Sequence, residues 1–198
     1  MYLYGASGHG KVVAEIAEES GYHIDAYIDE NVSKKKMLGY SVFHEPPQEN
    51  IDIVIAIGNN RIRKNIVEQS ALFNYVTLLH PKSSVSKRVQ IDEGTVVMAG
   101  VTINAAVTVG KHCIINTNSS IDHDCVLEDF VHISPNAALG GSVYVGEGTH
   151  VGIGANIIQG IKIGKWCTIG AGTVIISDIP DGSTVVGNPG RIIKITEL

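Results

Sequence analysis

Aliphatic residues recur at every sixth position from Val85 to Ile175. The series is Val85, Ile91, Val97, Ile103, Val109, Ile115, Ile121, Leu127, Ile133, Leu139, Val145, Val151, Ile157, Ile163, Ile169 and Ile175. Sixteen in a row, at an Ile/Leu/Val frequency of ~30%, arise by chance on the order of once in 10⁸, so the period is a true repeat. Four residues after each comes a small or β-branched residue: Val89, Thr95, Val101, Val107, Cys113, Ser119, Cys125, Val131, Ala137, Val143, Thr149, Ala155, Ile161, Cys167 and Thr173. Two inward positions per six residues, one aliphatic and one small, predict a narrow prism of short strands. Gly, Asn or Asp often follows the aliphatic residue, as at Asp92, Asn104, Gly110, Asn116, Asp122, Gly140, Gly146, Gly152, Gly164 and Gly170. These are the expected corners, because such residues tolerate turn geometry.

Residues 1–79 have another rhythm. Tyr2-Leu3-Tyr4 predicts a short strand running into the Gly-rich segment Gly5–Gly10. An amphipathic helix follows, with Val12, Val13, Ile16 and Ala17 on one face and Glu15, Glu18 and Glu19 on the other. His23 to Ile28 alternates like a strand and ends at Asp29, and Ile51–Ile57 is a near-continuous apolar run of the buried-strand type. That run breaks at Gly58-Asn59-Asn60. A helix through Ile62, Ile66 and Val67 and a strand from Tyr75 to Leu79 complete the pattern. Alternating β and α elements imply a small parallel sheet. The division falls at residues 1–80 and 81–198.

The six-residue period resembles the hexapeptide-repeat acyltransferases, which fold as left-handed parallel β-helices. By that resemblance three hexapeptides form one triangular coil of eighteen residues, and residues eighteen apart stack one strand spacing apart, ~4.8 Å. Cys113, Cys125 and Cys167 all fall on the small inward position, which makes them compact core residues.

Composition narrows the function. The 198 residues carry a formal net charge of −5, with 22 glycines and 44% hydrophobic residues. A mildly acidic chain excludes a broad nucleic-acid or anionic-membrane surface. No apolar run reaches the ~20 residues that span a bilayer, and no signal-peptide pattern opens the chain. Three cysteines without metal-type spacing suit a reduced, cytoplasmic setting.

Two regions carry candidate chemistry. Gly5, Gly8 and Gly10 lie at the first strand-to-helix turn, where free N–H groups and the helix dipole favour phosphate. Their spacing, Gly-x-x-Gly-x-Gly, differs from the dinucleotide fingerprint. Asp29 ends the next strand in a position to bind a ribose hydroxyl, and Gly58-Asn59-Asn60 ends another at the same sheet edge. Turn chemistry alone accounts for each loop singly; their convergence makes a nucleotide site. Among the histidines, His23, His44 and His112 read as surface residues, His80 as a junction residue, and His9 as part of the Gly-rich turn. His123 and His132 are outward positions that the prism core does not need. The positions eighteen before and after His123 are Ala105 and Gly141, so its wall is bare, with room for a ligand. Asp122 and Asp124 flank it, and a carboxylate beside an imidazole can hold its tautomer and support its cation. His150 stacks on His132; a solvated face is the plain reading for both.

The whole chain resembles the bacterial PglD/NeuD-like nucleotide-sugar acyltransferases, nearest their UDP-4-amino-sugar N-acetyltransferase branch. The segments that carry the likeness are Tyr4–Gly10, Ile55–Asn60, Ile121–Cys125, Phe130–Ser134 and Val186–Arg191. The resemblance implies a Rossmann-like N-terminal sheet before the left-handed β-helix. It implies acetyl-CoA as acetyl donor, no metal, and a homotrimer with active sites between neighbouring prisms. His123 would be the general base, with Asp124 beside it where relatives carry Glu. Ser7, Gly8, His9, Asp29, Glu30 and Gly58 would hold the UDP-sugar. His132, Gly141, Ile153 and Ala171, the last replacing an expected glycine, would line the acetyl-CoA groove. Lys162, Lys165 and Arg191 are candidates to meet the cofactor phosphates. The rival readings are a sialic-acid-type O-acetyltransferase, a zinc enzyme on the same prism, and a non-catalytic sugar-nucleotide scaffold.

Overall fold

A computed structural model describes residues 1–69 and 73–198. The N-terminal part is a six-stranded sheet: β1 (Tyr2–Tyr4), β2 (Ala26–Ile28), β3 (Lys36–Met37), β4 (Tyr40–Phe43), β5 (Ile51–Ile55) and β6 (Phe73–Tyr75) in the order β3-β4-β2-β1-β5-β6. All pairings are parallel except the β3–β4 hairpin. Helix α1 (Gly8–Glu19) follows β1 and α2 (Asn60–Glu68) follows β5. α1 buries Val13, Ala14, Ile16 and Ala17 against the sheet; Val12, expected on that face, is exposed. The Asn59 side chain caps α2 by accepting the Ile62 N–H at 3.1 Å. Two expected elements are shorter than the sequence pattern. β2 begins only at Ala26, and the predicted Tyr75–Leu79 strand divides. Phe73–Tyr75 stays in the N-terminal sheet, whereas Leu78–Leu79 pairs with Val96–Val97 and forms the first rung of the prism.

From Leu78 the chain winds as a parallel β-helix of two-residue strands stacked on three faces. The first face runs through Leu78–Leu79, Val96–Val97, Ile114–Ile115, His132–Ile133, His150–Val151 and Thr168–Ile169. The second contains Ser84–Val85, Thr102–Ile103, Ser120–Ile121, Ala138–Leu139, Asn156–Ile157 and Val174–Ile175. The third contains Gln90–Ile91, Thr108–Val109, Val126–Leu127, Tyr144–Val145 and Lys162–Ile163. Partners are eighteen residues apart on each face. The aliphatic series from Val97 to Ile175 and the small series from Thr95 to Thr173 are all buried. The three cysteines are free and buried, each with its thiol donating to a carbonyl: Glu128, Gly140 and Pro180. Burial pushes the Cys113 thiol up to about 12. A final strand pair, Ser183–Val186 and Arg191–Ile195, extends the first face.

The corners differ from the expectation. Every sixth residue from Gly94 to Gly172 has φ between +52° and +72°, including Ala106, His112, Asn118, Asp124, Phe130, Asn136, Ser142 and Trp166. The left-handed residue is therefore the third after the aliphatic position, not the first. The glycines directly after the aliphatic residue serve another constraint, the closeness of successive coils. A Cβ at Gly140, Gly146 or Gly152 would lie 2.7, 2.6 or 2.5 Å from backbone of the next coil.

These two roles separate by mutation. Gly154 is left-handed but faces open space, so Gly154→Ala is expected to cost about 1–2 kcal/mol. Gly152→Ala must displace backbone and is expected to cost ~3 kcal/mol or more. The midpoints of chemical denaturation of the two variants check the order.

Candidate active site

His123 stands at the corner between the second and third faces, in the segment that links Ser120–Ile121 to Val126–Leu127. Its Nδ1 lies 2.7 Å from Asp124 Oδ2. A carboxylate only accepts, so Nδ1 carries the proton and Nε2 keeps its lone pair. Asp124 is a left-handed corner residue, φ +60°, a conformation Asp adopts more readily than most side chains. This short carboxylate reaches the ring without a longer stem. Asp122 Oδ1 accepts both the His123 backbone N–H and Asn104 Nδ2, each at 2.8 Å. Held by Asp124 and facing the charge of Asp122, His123 has its pKa raised above the ordinary histidine value. Both His123 and Asp124 side chains are 59% exposed.

The bare wall beside His123 has a specific use. A Cβ on Gly141 would fall 2.6 Å from His123 Cε1 and 2.7 Å from Nε2. Gly141 therefore makes room for the imidazole itself, and the free nitrogen edge lies over it. Beside this corner, a groove of about 340 Å³ runs along the second face, lined by Asn104, Ser120, Asp122, Ala138, Gly140 and Asn156 among others.

The N-terminal loops converge as expected. β1 lies between β2 and β5, so the strand order reverses there and a crevice opens at the strands' carboxyl ends. Ala6 N–H donates to Asp29 Oδ2 at 2.8 Å, and Lys34 Nζ sits 2.7 Å from the same oxygen. Burial alone would raise the Asp29 pKa; hydrogen bonds from Lys34, Asn31 and Ala6 hold it below the usual value. Asp29 thus braces the loops as well as facing the crevice, and the sequence reading missed Lys34. Glu30 accepts from the Tyr4 hydroxyl at 3.3 Å. A 290 Å³ cleft joins Tyr4, Asp29 and Glu30 to Ile57, Ile62, Asn65 and Ile66. Ser7 and Gly8 are exposed at the start of α1, and Ser7 makes no side-chain cap. Of the three glycines, Gly5 and Gly10 answer to packing: a Cβ on either would strike the backbone of Ala56 or Gly5. Only Gly8 leaves open space for a ligand.

His132 is buried on the first face, not solvated. Its ring stacks on His150 at 4.7 Å. Nδ1 meets Gly58 O at 3.3 Å and Nε2 meets Asn116 Nδ2 at 3.2 Å, an arrangement that fixes the neutral tautomer. Burial first, then the charges of His150, Arg63 and His9, lowers its pKa to about 3. His9 is lowered to about 4, by burial and then by Arg63. His112, expected on the surface, is buried between Tyr75 and Phe130.

The predicted residues fall into two groups. Gly58 and His132 meet directly, and Ile153 and Ala171 stack at the adjoining corner, between the first and second faces. His123, Asp124 and Gly141 occupy a different corner. Lys162 lies over the Tyr144 ring and Lys165 beside Glu128.

Comparison with known proteins places this arrangement. The family described as PglD N-terminal domain matches residues 1–70, and the bacterial transferase hexapeptide family, six repeats, matches residues 142–177. GDP-perosamine N-acetyltransferase of Escherichia coli O157:H7 is 30% identical, with 98% of this chain and 97% of that protein aligned. The chain belongs to the hexapeptide-repeat sugar-nucleotide N-acetyltransferases. Two solved structures align with nearly the whole chain. The acetyltransferase domain of PglB from Neisseria gonorrhoeae FA1090, in complex with acetyl coenzyme A, is 41% identical, with 97% of this chain and 98% of that one covered and a TM-score of 0.90. PerB from Caulobacter crescentus, in complex with CoA and GDP-perosamine, is 36% identical, covering 98% and 96%, with a TM-score of 0.92.

The histidine environments give opposite titrations. His123 should titrate above ~6.5, and Asp124→Asn should lower its value; side-chain NMR checks both. His9 and His132 bind protons more readily in the unfolded chain. Their stabilisation is complete above about pH 6.5 and is lost as the pH falls toward their folded values of about 4 and 3. Denaturation midpoints between pH 7 and 4 should therefore fall, and less so in a His132→Asn variant.

Proposed function

We propose that the protein transfers the acetyl group of acetyl-CoA to the amine of a nucleotide-linked 4-amino-4,6-dideoxy sugar, with UDP as the carrier that the sequence resemblance implies. The observation that carries this reading is the His123–Asp124 pair: a carboxylate-held imidazole with its free nitrogen over Gly141. In the reaction the sugar amine attacks the thioester carbonyl and His123 Nε2 takes the proton shed as the C–N bond forms. The Gly141 N–H, which donates to no backbone carbonyl among the described residues, receives the oxygen as it gains negative charge. Collapse breaks the C–S bond, and the imidazolium returns its proton to the departing thiolate. No covalent enzyme intermediate forms.

Ser7, Gly8, His9, Asp29, Glu30 and Gly58 are assigned to the sugar nucleotide, and His132, Gly141, Ile153 and Ala171 to the cofactor. The separation of His123 from the N-terminal loops in one chain supports a site shared by two copies, and hence a homotrimer. The left-handed winding, the Rossmann-like reading of residues 1–80 and a cytoplasmic setting belong to the same proposal. The family likeness and the three buried free thiols support them. A second reading, with GDP as carrier, is favoured by the perosamine enzymes of E. coli and C. crescentus.

Thiol release from acetyl-CoA is the test, with UDP- and GDP-linked 4-amino sugars and their 4-hydroxy counterparts as acceptors. Release confined to the amines is the expected result, and equal release with the hydroxyl sugars would overturn it. His123→Ala should lower kcat at least ~10²-fold while the fold survives. The acidic limb of the kcat/KM profile should move to lower pH in Asp124→Asn, because a base with a lower pKa is unprotonated earlier.

A further inference from the structure

Arg63 is 1% exposed, and among the described residues no carboxylate pairs with it. Its guanidinium is wrapped instead by oxygens from both parts of the molecule. Nε donates to His112 O at 2.8 Å, and one terminal nitrogen donates to Phe130 O at 2.9 Å. The same nitrogen holds Asn60 Oδ1 at 2.8 Å, while the other donates to Ile57 O at 2.9 Å and lies 3.5 Å from Gly58 O. Asn60 in turn donates to Gly148 O at 3.0 Å. His112, Phe130 and Gly148 are consecutive left-handed corner residues, eighteen apart. None of their carbonyls accepts within the coil ladder; the ladder uses the preceding carbonyls of Lys111, Asp129 and Glu147. Arg63 and Asn60 therefore satisfy three stacked orphan acceptors, which buried backbone requires. One coil further along the ridge, Arg61 covers the Trp166 ring at 4.4 Å.

We propose that Arg63 is a positioning residue for acetyl transfer. It fastens the loop after β5 to the prism at a fixed height, and so sets the place of the sugar nucleotide relative to the cofactor. This rests on the site assignment above. A buried cation adds little net stability compared with an apolar side chain of its size. What a planar fork of five donors supplies is a fixed geometry among acceptors on separate elements. The loop it grips includes Gly58, whose carbonyl also meets His132. Burial lowers the Arg63 pKa only to about 10, so it remains charged at neutral pH. Lysine at this site keeps the charge but offers a single nitrogen, which cannot span Ile57, His112 and Phe130 together.

The test compares Arg63→Lys and Asn60→Ala in the full chain. Arg63→Lys should bind UDP or GDP within about 3-fold of the unaltered protein and keep its KM for acetyl-CoA. Its kcat should fall ~10²-fold, the effect of a reactant displaced by about an ångström. Asn60→Ala loses the contacts to Gly148 and Thr149 and one acceptor of Arg63, but keeps the Arg63 bonds to Ile57, His112 and Phe130, and should lose less, about 5-fold. Amide hydrogen exchange gives a readout independent of the acceptor: α2 should exchange at least ~10-fold faster in Arg63→Lys, with the strands at Ile114 and Ile133 unchanged. Unaltered kcat and α2 protection would overturn the proposal. So would a kcat loss matched by an equal loss of nucleotide affinity, or misfolded Arg63→Lys beside fully active Asn60→Ala. Lack of turnover in the unaltered protein would sink the acceptor assignment alone, and α2 exchange would still decide the role of Arg63.

Discussion

The left-handed corner is the constraint on which the rest of this molecule depends. A chain that places one residue at positive φ every six residues turns without a loop, and each turn starts a strand directly above the one eighteen residues earlier. From His112 to Gly172 the amide of each corner residue, as at Phe130, Gly148 and Trp166, stays in the ladder, while its carbonyl is turned away from it. The same conformation therefore does two things. It closes the coil, and it leaves a column of acceptors along each ridge that must find water or another part of the protein. On one ridge α2 supplies the partners. On another, the corner residue is Asp124, and the backbone conformation that turns the chain also presents the carboxylate to His123.

The buried histidines and the exposed one show how environment separates residues of one type. His123 gains protons more readily because two carboxylates face it. His132 and His9 lose them because the junction between sheet and prism excludes water and contains a guanidinium. A base that works by accepting a proton needs the first environment. A side chain that holds a loop through one fixed tautomer needs the second.

Much of this was legible in the sequence because the repeat makes position informative. Once the aliphatic residues from Val85 to Ile175 fix the frame, His123, Asp124 and Gly141 are outward by counting, and the thiols of Cys113, Cys125 and Cys167 are inward. What the repeat could not convey is how the two parts meet. Arg63 looks like an ordinary exposed residue of an amphipathic helix, and His112 like a surface residue of the prism, because their burial depends on contact between segments about fifty residues apart. The corner was misplaced by two residues for a related reason. Glycine after the aliphatic position reports closeness between coils, and sequence composition does not distinguish that from a requirement for positive φ. The Asp29–Lys34–Ala6 brace was equally invisible, since a carboxylate at a strand end reads the same whether it faces a ligand or a neighbouring loop.

The two-residue strand has a consequence for how such a chain can change. Each coil is one unit of a ruler marked in eighteen residues, and every side chain beyond a given coil owes its face to the count before it. A single inserted residue between Val85 and His123 would rotate the downstream pattern out of phase, moving inward side chains to the surface throughout. A whole added coil would keep every face and simply lengthen the prism. Distances along the axis, including the height of His123 relative to the ridge under α2, can therefore change in steps of one rung and not by gradual drift.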